Sequence, residues 1–114
     1  MERLSFGVEN AFTPRDDRLE GVTVAPLTPP TAVRAAVFHL APGGRIARHP
    51  AIVPQILAVL EGEGHVSGGD GSFVPIAAGE AVFWAAGEEH ETLTDSGLSA
   101  LVIEAEGLRP ARAS

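Results

Sequence analysis

The chain has 114 residues, a formal net charge of −7, no cysteine, and eight cationic side chains that are all arginine. That length makes one domain with a single core, while the missing cysteine excludes disulfides and thiolate metal sites and the missing lysine excludes a Schiff base or a P-loop. An acidic balance without a basic stripe speaks against nucleic acid or an anionic membrane as partner.

The start of the chain, Met1-Glu2-Arg3-Leu4-Ser5, shows no basic stretch leading into an apolar one, so no signal peptide is expected. No apolar run, Ile56 to Leu60 included, is long enough to span a bilayer. The expected location is cytoplasmic. Residues 1–20 read as an N-terminal arm whose Phe6, Val8 and Phe12 pair with the body of the domain or with a second subunit. Thirteen glycines and nine prolines then punctuate short apolar runs, the pattern of an all-β sandwich or barrel. Strands are expected near 22–26, 34–41, 53–61, 64–67, 73–76, 81–85, 89–94 and 98–105. Gly68-Gly69-Asp70-Gly71 is the strongest turn signal and closes a hairpin. Residues 107–114, with Arg109 and Arg112, read as a frayed tail on one compact domain spanning 1–114.

Two segments carry the chemistry. In the first, Gly43 is followed by five residues and His49, with Ala51, Gln55 and Gly62 beyond it. In the second, Gly79 is followed by five residues and Ala85, then Gly87, His90 and Thr94; sixteen residues separate the two. Each sets a histidine at a fixed distance after a glycine within strand-like sequence, an arrangement that aims two imidazoles at one point. The pair, over 43–62 and 79–94, resembles the two motifs of the cupin superfamily, small single-domain members above all. The resemblance implies an antiparallel jelly-roll β-barrel enclosing a pocket, a fold that hosts many unrelated activities.

Departures from the family pattern are the informative part. Full cupin sites offer three imidazoles and a carboxylate to a metal. Here Ala51 stands for one histidine and Gln55 for the glutamate, while His49 and His90 remain. The resemblance therefore implies a divalent metal (Zn, Ni, Mn or Fe) held by His49, Gln55 and His90, and a small organic, anionic ligand. Gln55, Phe83, Trp84 and His39 are the candidate pocket residues, with Trp84 or Phe83 as a stacking wall or as core. A facial-triad iron oxygenase needs a carboxylate, which the motifs do not supply unless Glu91 or Glu104 turns inward. His65 is expected in solvent. Glu88, Glu89 and Glu91 form an acidic patch or supply a base, and Arg45 and Arg48 are an anion clamp or surface charge. The functional expectation is a homodimeric metal-dependent dioxygenase or isomerase. The alternative is a metal-free module that binds or senses a small ligand, which Ala51 and Gln55 favour.

Overall fold

The computed structural model describes residues 1–111; Arg112 and the two residues after it, the end of the expected tail over 107–114, lie outside the described residues. Seven strands follow a short 3-10 turn at Val8–Asn10: β1 (Leu19–Pro26), β2 (Val33–Pro50), β3 (Gln55–Ser67), β4 (Phe73–Ala77), β5 (Ala81–Trp84), β6 (Glu89–Leu93) and β7 (Leu98–Ala105). All pairings are antiparallel. Among the described residues no helix is long and apolar enough to cross a membrane.

Two long strands organise the barrel by changing partners along their length. The first half of β2 pairs with β7, and its second half with β6. The first half of β3 pairs with β5 and β7, and its second half with β4 and β6. Two sheets result, with β2 and β3 belonging to both. The glycines expected to end strands instead lie inside them. Gly43 and Gly62 have φ of 81° each, a backbone state open to glycine at no steric cost, and they mark the corners where β2 and β3 pass from one sheet to the other. The hairpin at Gly68–Gly71 forms as expected, with Gly71 N donating to Gly68 O at 2.9 Å.

Alternation along each strand then fills the space between the sheets. Val22 and Val24 of β1, Leu57 and Val59 of β3, and Leu98, Ala100 and Val102 of β7 are buried in one cluster with Leu40, Ile46 and Trp84. The N-terminal arm lies against β1: Phe12 and Val24 exchange both backbone hydrogen bonds, at 3.0 and 2.8 Å. Its course is held further by His39, whose Nε2 meets Phe6 O at 2.8 Å while Nδ1 meets Ser99 Oγ at 2.7 Å.

Candidate functional site

Antiparallel register brings the two motif histidines face to face. His49 on β2 is paired with His90 on β6, and their ring centroids are 4.3 Å apart with planes inclined by 51°. Each ring is oriented by its own strand: Nδ1 of His49 lies 2.7 Å from Ala47 O, and Nδ1 of His90 lies 3.1 Å from Glu88 O. A carbonyl only accepts, so each Nδ1 carries the hydrogen, and each Nε2 of the neutral ring keeps its lone pair. Trp84 backs the pair, its ring 4.4 Å from that of His90, and its Nε1 donates to Ser67 O at 3.1 Å.

His90 is 2 % exposed. Burial pushes its pKa below the ordinary value, and the neighbouring His49 adds to this, against the hydrogen bond to Glu88 O. In the unfolded chain the imidazole protonates below pH about 6.5, so between that pH and the lower folded value only the unfolded state takes up the proton. Stability is therefore full above pH about 6.5 and declines as pH falls below it. Urea titrations of the metal-free protein between pH 7.5 and 5.5 are expected to show this decline, and His90→Asn to flatten it. Equal slopes in both proteins would refute the assignment.

Both histidines line a cavity of about 270 Å³ between the sheets. Its apolar wall includes Phe38, Ile46, Leu57 and Val102, and its polar groups include Gln55, Thr92, Arg34 and Glu104. Ala51, 4 % exposed, lines it without a donor. Phe12, Pro14, Asp16 and Arg18 of the arm complete the lining, a contribution the motifs do not signal. Asp16 is engaged by Arg18, whose Nε and Nη2 donate to its two oxygens at 2.9 and 2.7 Å. Those bonds lower its pKa to about 2.

The other expected pocket residues sit elsewhere. His39 faces away from Phe38 and Leu40 and lines a different groove, with Val8 and Thr23, where it tethers the arm. Trp84 is a buried core residue behind His90 and does not border the cavity; Phe83, its half-buried neighbour on β5, does not border it either. Period-two alternation turns His39 and Phe83 to the other face of their strands, whereas Trp84 is on the inward face and is covered by His90. His65 is exposed. Arg45 approaches Glu91 at 3.6 Å, and Arg48 donates to Gly68 O and Gly69 O at 3.0 and 3.3 Å, so neither is an anion clamp at this cavity. Glu88 spends its carboxylate on the backbone N–H groups of Gly69 and Ala85, each at 3.0 Å.

Glu104, by contrast, does border the cavity. It ends the inward row Leu98, Ala100, Val102, Glu104 of β7, and this alternation is the signal in the sequence that points to it. Among the described residues, no cluster of three or more His, Asp or Glu side chains is arranged to hold a metal. The motif groups that border the cavity are two imidazoles and the neutral amide of Gln55. As a donor set they fit a borderline divalent ion that completes its shell with water or ligand oxygen, and they are poorer than a three-histidine set.

The cupin domain family (Cupin_2) matches residues 36–104. Among solved structures, the polyketide cyclase RemF from Streptomyces resistomycificus aligns with a TM-score of 0.81 at 24 % identity, over 98 % of this chain and 84 % of that one. An RmlC-like cupin from Shewanella frigidimarina gives 0.76 at 23 %, over 98 % and 94 % of the two chains. A predicted oxalate decarboxylase from Thermotoga maritima gives 0.72 at 25 %, over 88 % and 96 %. No curated protein matches the chain. These likenesses carry the jelly-roll fold, and the activities in those names belong to those proteins.

Proposed function

The chain belongs to the Cupin_2 family of cupin domains, and on that basis we propose that it binds a small organic ligand in the cavity between its sheets, with a divalent metal held by His49 and His90 and Gln55 as a neutral third donor. The observation that carries this reading is the facing pair of imidazoles, both with Nδ1 committed to backbone carbonyls and both bordering the cavity. Bound there, a divalent ion supplies Lewis acidity toward a carbonyl or carboxylate oxygen of the ligand. The apolar wall of Phe38, Leu57 and Val102 excludes water from the ligand's body, and Thr92 and Gln55 offer it hydrogen bonds. Since among the described residues no carboxylate is grouped with the two imidazoles, carbonyl activation, as in an isomerase, is favoured over a facial-triad iron dioxygenase.

Metal analysis of protein purified without added metal tests the reading. About one divalent ion per chain is expected, lost in His49→Ala/His90→Ala, and chelator is expected to lower the unfolding midpoint of the wild type. The second reading, a metal-free ligand-binding module, is supported by Ala51, which borders the cavity where a third imidazole would stand. It is the outcome if the purified protein carries no metal and chelator leaves the midpoint unchanged.

A further inference from the structure

Two acidic side chains border the cavity, Asp16 and Glu104, and a third, Glu91, is a candidate from the sequence for turning into it. Asp16 has both oxygens bonded by Arg18. Glu91 leans toward Arg45 and does not border the cavity. Glu104 is half-buried, borders the cavity, and makes no hydrogen bond or ion pair with any described residue. Its cross-strand neighbours are Gln55 on one side and Arg34 on the other, and both border the same cavity. The Glu104 oxygens are not among the buried unpartnered atoms of the described residues, so they stay open to water and can accept from a ligand in the cavity. A ligand hydroxyl that replaces this water gains a charge-assisted hydrogen bond.

We propose that Glu104 is the recognition residue for a ligand hydroxyl, and that the ligand is a flat, largely apolar compound carrying a phenolic or enolic O–H. The shape follows from the walls: Phe12 from the arm and Phe38 from β2 offer aromatic faces, and Ile46, Leu57 and Val102 complete an apolar slot. The hydroxyl donates to Glu104 at one part of the cavity, while an oxygen elsewhere on the ligand is directed to the imidazole pair. The inference rests on the ligand-binding reading above and names the ligand class for that site.

The test uses the full chain and two probes, 2-naphthol and its methyl ether, titrated by calorimetry into wild type, Glu104→Gln and Glu104→Asp. Naphthol is expected to bind the wild type, and about five- to tenfold more weakly the Gln variant, the difference between a charged and a neutral acceptor. The ether, which has no O–H, is expected to bind both with equal affinity. Glu104→Asp keeps the charge on a shorter arm and is expected to fall between. Equal naphthol affinity in wild type and Glu104→Gln overturns the role of Glu104 and leaves the cavity standing as a ligand site. Failure of both probes to bind the wild type overturns the ligand class, while metal content and its dependence on His49 and His90 decide separately whether the proposed site itself stands. Equal losses for naphthol and ether in the Gln variant, together with a lowered unfolding midpoint, mark a structural role and also overturn the assignment.

Discussion

Trp84→Ala is expected to destabilise the protein by about 3–5 kcal/mol, the cost of emptying a buried aromatic site. For a domain of this size that is a fall in midpoint of roughly 12–20 °C. Three interactions are lost together. The indole is 1 % exposed within the main core cluster, which also contains Leu57 and Val66. Its Nε1 is a donor to Ser67 O at the end of β3, and its ring supports the face of His90. Trp84→Phe separates these effects: an aromatic ring remains behind His90, and the Ser67 carbonyl loses a donor at a cost of about 1–2 kcal/mol. Urea unfolding of the three proteins at pH 7.5 makes the comparison. An alanine variant with a wild-type midpoint would show that the ring is not the core element described.

Gly62→Ala is expected to be at least as damaging, through the backbone. Gly62 adopts φ of 81° at the corner of β3, where a Cβ costs about 1–2 kcal/mol in strain alone. That Cβ would also run into the carbonyl oxygen of Gly97 and the Cα of Leu98, backbone at the entry to the neighbouring β7. Relief requires β3 and β7 to part where Gly62 pairs with Leu98. Gly43 is the matched control, because it has the same φ and nothing within 4 Å of a modest added Cβ. Gly43→Ala is expected to cost about 1–2 kcal/mol, and Gly62→Ala clearly more, read as soluble yield and denaturation midpoint. Equal costs would mean that close packing at the β3 corner does not matter.

Much of the fold was legible because alternation and turn chemistry agree. Val22 and Val24, the Gly68–Gly71 hairpin, and the run from Leu98 to Ala105 all fall where local pattern places them. The long strands were not, because Gly43 and Gly62 look like turns in a one-dimensional reading. A glycine at positive φ serves a hairpin and a sheet-switching corner equally well, and only the partner strands decide between them. At the site, the motif spacing located the facing histidines and Gln55 on the cavity wall. Trp84 was ambiguous for a physical reason: an aromatic ring behind a histidine and one beside a ligand share the same strand position up to the direction of its face. Phe12 signalled that the arm pairs with the domain, but the place of Phe12, Pro14, Asp16 and Arg18 on the cavity carries no local signal, since it follows from where β1 takes that pairing.

The partner exchange of β2 and β3 has a bearing on how such a protein changes over generations. Arg34, Phe38, Ile46 and His49 all reach the cavity from β2, and Gln55 and Leu57 from β3. Each of these strands is bound along both edges for part of its length. Inserting or deleting one residue there would turn every following side chain to the opposite face, dismantling the cavity wall at a stroke. Changes in ligand preference are therefore expected to come from single-residue replacement on these strands, with changes of length tolerated in the arm and in turns such as Gly68–Gly71.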